Sequence, residues 1–261
     1  MKNPTKGFLF QCRQMVLYLL PLACFIAIWW WWTDGDTRAQ FLFSSPSKYF
    51  HAFYTSVANE GLLRHAGITA FEALAGFAIG MTAGASIGLS LWYFQPVARI
   101  SAPYIVALGS LPVFALAPIM IIWFGIGIFS KVMMAALSTV LVALVQAYQG
   151  AKSASPGHLK LMKVLDASQR QTFTKVILPS AMVWVMNSMR LNIGFALLGA
   201  FIGEFIAAEA GLGYFILKAS GLYDMARVFV GITGIMLLGL LFTFAVSLVE
   251  KRVLAWKNHG G

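Results

Sequence analysis

From Tyr104 to Gly150 the chain carries a single charged side chain, Lys131. Comparably apolar runs occupy Met15 to Trp32, Thr69 to Phe94, Ala181 to Ala208 and Val228 to Val249. A helix needs about 20 mostly apolar residues to cross a bilayer, so these runs predict an all-α polytopic membrane protein. The Tyr104–Gly150 stretch is long enough for two helices, with Gly125-Ile126-Gly127 and Lys131 marking the turn between them. Six spans are expected in total. The composition agrees: 59% of the 261 residues are hydrophobic and only 11% are charged, against roughly a quarter charged in soluble domains.

The formal charge of +10 does not point to nucleic acid, because the bases are thinly scattered rather than clustered on one stripe. They sort by side of the membrane instead. With the N-terminus inside, the cytoplasmic segments hold Lys2, Lys6, Arg13, Arg99, Lys152, Lys160, Lys163, Arg170, Lys175, Lys251, Arg252 and Lys257. The outside keeps Arg38, Lys48, Arg64, Lys131, Lys218 and Arg227. This asymmetry places both termini in the cytoplasm. The first run resembles a signal peptide in its basic head, but it lacks a small-residue cleavage site and ends in Trp29 to Trp32, an interfacial belt. It is read as a retained anchor. Expected domains are residues 1–65, an anchor helix with an external loop; 66–252, the main helical core, with a cytoplasmic loop at 150–179; and 253–261, a cytoplasmic tail.

Gly76, Gly80, Gly84 and Gly88 recur every four residues and share one helix face; Gly199 and Gly203 repeat the spacing. In lipid such small residues let helix backbones approach. Carboxylates inside spans cost about 2.5–3.5 kcal/mol at the bilayer centre and are functional candidates by default, which singles out Glu204 and Glu72 as pathway or gate residues. Arg190, near the inner end of the fifth span, either snorkels to lipid phosphate or pairs within the bundle.

The inner loop from Gln149 to Pro179 is the most informative segment. Ser155-Pro156 is a helix start, serine as N-cap and proline at the first position. Leu159, Met162 and Leu165 share one face of the short helix that follows, beside Lys160 and Lys163. Asp166 breaks it, and a second short helix is expected from Ser168. An amphipathic pair of this kind is either a surface-lying element or a docking knob for a partner; periodicity does not choose.

The residues themselves resemble the membrane subunits of bacterial binding-protein-dependent ABC importers. Val176-Ile177-Leu178-Pro179 matches the end of that family's cytoplasmic loop motif, and Leu165-Asp166-Ala167-Ser168 sits where Leu-Gly-Ala-Ser is usual. Leu108-Gly109-Ser110-Leu111-Pro112, Ala117-Pro118, Trp123-Phe124-Gly125, Arg190, Gly194, Glu204 and Gly211-Leu212-Gly213-Tyr214 are similar to the nitrate/sulfonate/taurine branch. The likeness runs from about Leu62 to Arg252. The chain departs from the pattern at Lys160-Leu161-Met162, where Glu-Ala-Ala is expected, at Asp166 for the turn glycine, at Glu72 for arginine, at Val183 for proline and at Ser188 for glycine.

The resemblance implies a type I importer permease without catalytic residues of its own. Leu159, Lys160, Leu161, Met162, Lys163, Leu165, Asp166, Ala167 and Ser168 would form the ATPase-coupling loop, with Leu159, Met162 and Leu165 as the docking stripe and Lys160 facing an acidic partner residue. Implied partners are two copies of an ATP-binding subunit holding ATP and Mg, a second permease copy forming a homodimer, and an external substrate-binding protein, at the bacterial inner membrane. The expected solute is a sulfonate-, nitrate- or taurine-like organic anion. No Gly-x-x-x-x-Gly-Lys-Ser/Thr cradle occurs, the four histidines are dispersed, no metal-ligand spacing is present, and Cys12 and Cys24 offer no disulfide framework. The competing classes are an ion-coupled secondary carrier, which needs its own ion site, and a membrane scaffold subunit, which leaves the loop pattern unexplained.

Overall fold

The computed structural model describes residues 20, 21 and 23–253. The beginning of the first expected span, Met15 to Leu19, lies outside the described residues, as do Lys2, Lys6, Cys12, Arg13 and the tail from Leu254. Every described element is helical, and the chain divides into two compact units.

One unit comprises Met1–Gly61 and Leu217–Val230. It contains α1 (Ala23–Thr33), α2 (Thr37–Phe43) and α3 (Pro46–Ala58). Asp36 starts α2 by accepting from the Arg38 and Ala39 N–H groups at 2.8 and 3.3 Å. Ser45 caps α3, with Pro46 at its first position. Trp29 packs edge-on against Tyr49 and Phe229, while Trp30, Trp31 and Trp32 are exposed. The Arg227 guanidinium donates to both Glu60 oxygens (Nη2 to Oε1 2.6 Å) and to Asp224 Oδ2.

The other unit comprises Leu62–Ile216 and Gly231–Gly261. Its elements are α4 (Leu62–Tyr93), α5 (Gln95–Gly109), a 3-10 turn (Val113–Leu116), α6 (Ala117–Phe124), α7 (Ile128–Lys152), α8 (Pro156–Val164), α9 (Gln169–Thr172), a π turn (Phe173–Ile177) and α10 (Leu178–Ile206). α11 (Leu212–Gly221) begins in this unit, and α12 (Met225–Val253) runs through most of its length in it. Among the described residues four helices are long and apolar enough to cross a membrane: α4, α7, the continuous Gln169–Ile206 rod, and α12. α5 and the Val113–Phe124 segment make a fifth if counted as one span bent by 88°.

The Tyr104–Gly150 stretch therefore differs from its reading. The Gly125-Ile126-Gly127 turn is present, with Gly125 at φ +78° closing α6, but the helix ahead of it starts at Gln95 and breaks at Ser110 to Pro112. Pro112 lacks the N–H a continuing helix needs and biases Leu111 away from helical backbone. The fifth span differs too, since α9 and the π turn join it without a break. Lys131, expected in an external turn, sits in the first turn of α7 and is 2% exposed.

α7 is the central rod, packed by α4 on one side and α10 on another. The glycine face of α4 is what allows this. A Cβ on Gly80 would lie 2.5 Å from Ala136 O, and one on Gly84 2.8 Å from Ala143 Cβ. Gly76 and Gly88 sit equally tightly against Ala135/Ala136 and Ala147. The partner face is a matching series at four-residue intervals, Ala135, Thr139, Ala143 and Ala147, each buried. Gly199 of α10 rests on Ala135 and Ser138, and Gly203 on Lys131. Both glycine series thus act as helix-packing surfaces.

Candidate functional site

The inner loop folds as a sharply cornered pair of short helices. α8 ends in a Schellman motif: the Ala167 N–H donates to Met162 O at 3.0 Å and the Asp166 N–H to Lys163 O at 3.1 Å. This motif needs a left-handed residue, and Asp166 supplies it at φ +49°, as expected for a residue standing where glycine is usual. Two residues on, Ser168 and Gln171 form a reciprocal capping box that starts α9. The corner is therefore fixed by hydrogen bonds on both sides.

Which face of α8 points outward differs from the expectation. Leu159 and Met162 are half-buried against Ala151, Ala154, Val176, Ile177 and Ala181, in a cluster that also takes in Leu89, Trp92 and Phe173. They attach α8 to the ends of α4, α7 and α10. The outward apolar surface is Leu161, Val164 and Leu165, of which Val164 is 83% exposed. Lys160 and Lys163 flank it and are exposed. The three-residue stripe is thus split: Leu165 faces out and its two companions face in. The π turn joins the same assembly, with the Phe173 ring 4.8 Å from that of Tyr93 and 5.7 Å from that of Trp92.

A second group of predicted residues meets deep between α4, α7 and α10. Glu204 is fully buried. Its Oε1 accepts from Thr69 Oγ1 and its Oε2 from the Gly213 N–H, both at 2.6 Å. Thr69 Oγ1 in turn accepts from the Leu212 N–H at 2.8 Å, and the Gly211 N–H donates to His65 Nδ1 at 3.0 Å. Gly211-Leu212-Gly213 is the N-terminal turn of α11, so Glu204 and Thr69 satisfy N–H groups that a helix start leaves unpaired, with a carboxylate at the favourable pole of the helix dipole. Gly211 adopts φ +109°, and a side chain there would overlap the Glu204 carboxylate.

Glu72, 2% exposed, meets Glu204, and its Oε2 has no hydrogen-bond partner among the described residues. Lys131 is buried in the first turn of α7; its Nζ donates to Ile126 O and, at 3.2 Å, to Gly127 O. The sequence singled out both carboxylates but not Lys131, Thr69 or His65. These residues form a buried polar knot, apart from the residues that line the cleft between α5, α7 and α10.

Arg190 pairs with Glu250 of α12 (Nη2 to Oε2 2.7 Å, Nε to Oε2 2.8 Å), the bundle pairing among its expected alternatives. Asn192, two residues along α10, is wholly buried; it donates to Ser188 O at 3.1 Å and leaves its Oδ1 unpartnered among the described residues.

A cavity with ligand-sized space lies elsewhere. A cleft of about 430 Å³ opens between α5, the 3-10 turn, α7 and α10, walled by Leu108, Leu111, Phe114, Val142, Phe195 and Leu198 among others, with Ser138 and Gln146 as polar side chains. The Leu108–Pro112 segment that marks the sequence resemblance is the bend of the broken span, and it forms one wall.

The chain is similar to several known proteins. The model of the binding-protein-dependent transport system inner membrane component family matches residues 76–255. The formylaminopyrimidine transport permease ThiX of Halalkalibacterium halodurans is 34% identical over 183 residues, covering 70% of this chain and 73% of that protein. The taurine transport system permease TauC of Escherichia coli is 24% identical over 253 residues, covering 95% and 91%. Among solved structures, an inward-facing methionine ABC transporter, MetNI, has a chain that superposes with a TM-score of 0.65 at 17% identity, covering 74% of this chain and 95% of that one. With its bent span, glycine-packed core and cornered inner loop, this chain belongs to the family of binding-protein-dependent transport system inner membrane components, the permeases of ABC importers.

Proposed function

We propose that the chain is the translocating subunit of an ATP-driven importer at the bacterial inner membrane, with both termini cytoplasmic. It works as a homodimer with two copies of a separate ATPase subunit, which holds ATP and Mg, and it receives its solute from an external binding protein. The observation that carries this reading is α8. A short helix with an outward apolar patch (Leu161, Val164, Leu165), edged by Lys160 and Lys163 and seated on the ends of three core spans, has the form of a docking knob rather than a linker. The chain lacks a phosphate cradle, so hydrolysis belongs to the partner.

In this reading Lys160 faces an acidic groove on the ATPase. The knot around Glu204 holds the start of α11 against α4 and α10 while the inner ends of the spans move. The solute class supported here is a small organic molecule. The taurine relative supports a sulfonate-like anion, and the formylaminopyrimidine relative a pyrimidine. Co-purification tests the assembly. The full chain is expected to bring down a soluble ATPase whose hydrolysis rises with loaded binding protein, and solute uptake driven by an ion gradient without any ATPase would refute it.

A further inference from the structure

We propose that the cleft between α5, α7 and α10 is a binding site for a neutral, planar nitrogen heterocycle whose polar edge is read by Gln146. The proposal rests on the permease reading and narrows its solute class. Ser138, Val142, Val145 and Gln146 follow one face of α7 at three- and four-residue intervals, away from the Ala135/Thr139/Ala143/Ala147 face that α4 covers. On that otherwise apolar strip Gln146 is half-buried, and its amide makes no hydrogen bond to any described residue. A carboxamide suits an adjacent donor and acceptor on a flat ring, because it offers one of each in a single plane.

The rest of the wall fits a ring. Phe114, carried into the cleft by the break at Pro112, and Phe195 of α10 supply aromatic surface, and Leu108, Leu111 and Leu198 add apolar contact. Ser138 donates to Met134 O at 2.8 Å and keeps lone pairs to accept from a ligand. The cleft falls within the size range of small-molecule sites, about 300–1,000 Å³. No lysine, arginine or histidine is among its lining residues. An anion leaving water here meets no counter-charge. Lys131 does not provide one, since it is absent from the lining and its ammonium donates to the Ile126 and Gly127 carbonyls.

The test is direct binding to the full chain in lipid nanodiscs, using cytosine as the neutral heterocycle and taurine as the charged sulfonate, read by saturation-transfer NMR and calorimetry. Saturable cytosine binding with no taurine binding is expected, and Gln146→Leu is expected to weaken cytosine about tenfold, the worth of one or two net hydrogen bonds, with the thermal midpoint unchanged. Phe195→Ala should weaken it independently. Taurine binding at least as tight as cytosine, binding of neither, or a Gln146→Leu protein that keeps full cytosine affinity overturns the proposal. Failure of the permease reading shows separately, as a chain that captures no ATPase, a result that does not depend on which probe enters the cleft.

Discussion

The Gly213 N–H donates to Glu204 Oε2 at 2.6 Å, so the first turn of α11 is closed by a carboxylate from the end of the preceding span. Glu204 is wholly buried and also accepts from Thr69. Removing it leaves the Thr69 hydroxyl and the Gly213 N–H without their buried acceptor. Glu204→Ala is expected to destabilise the fold by about 2–6 kcal/mol, the cost of two unsatisfied buried donors at about 1–3 kcal/mol each. Glu204→Gln, which keeps an acceptor, should cost less. Thermal unfolding in matched detergent measures both, and equal midpoints for wild type and Glu204→Ala would contradict this account of the knot.

Glycine substitutions separate contact from composition. Gly80→Ala places a Cβ against Ala136 O and is expected to cost about 1–3 kcal/mol by overpacking, because backbone cannot step aside as a side chain does. Gly194→Ala meets nothing within 4 Å and should be neutral or stabilise by up to about 1 kcal/mol through helix propensity. The same melting assay distinguishes them.

The two faces of α8 should fail differently. Val164→Asp alters a side chain that is 83% exposed; the fold is expected to melt normally while ATPase recovery in a pull-down falls at least about tenfold, the effect of losing one well-packed contact at a docking surface. Met162→Ala, which empties part of the cluster behind the helix, is expected to lower the melting point by removing about 2–4 kcal/mol.

Asp166 holds a left-handed backbone at φ +49°, a conformation costing L-residues roughly 1–2 kcal/mol and aspartate less than most. Asp166→Gly is expected to stabilise the corner by up to about 1 kcal/mol and Asp166→Val to destabilise it by more than the glycine gains. Hydrogen exchange at Ala167, whose N–H closes the Schellman motif, reports both.

The Glu60 carboxyl is held below its ordinary value of 4.5, chiefly by its hydrogen bonds to Arg227. Because the folded value is depressed, the pair stabilises above about pH 4.5 and that contribution is lost as pH falls through the lowered value. The side chain is about a third exposed (32%), so the effect is small, about 0–1 kcal/mol. The difference in melting point between wild type and Glu60→Gln should be constant from pH 7 to 5 and shrink toward pH 3.

Much of this arrangement was legible in the residues because it depends on local periodicity. The glycine series on α4, the helix start at Ser155-Pro156 and the left-handed turn at Asp166 each follow from spacing or backbone preference. The interior of the site was not. Ala135, Thr139, Ala143 and Ala147 repeat as strictly as the glycines, but alanine is common in apolar helices and gives little signal alone. Lys131 reads as a loop charge until Glu72 and Glu204 are brought beside it from other helices. The inward turn of Leu159 and Met162 depends on what lies beneath them, so a three-residue stripe marks an apolar face without saying whether a partner or the chain itself covers it. The pairing of Glu60 with Arg227 joins positions far apart in sequence and has no local trace.

α8 shares a single apolar cluster with the ends of α4, α7 and α10, and hydrogen bonds lock the corner that follows it. A displacement applied to this helix has no loose joint in which to dissipate, and it reaches three rods at the same instant. On the docking reading proposed above, opening and closing would tilt the three helices together as one block.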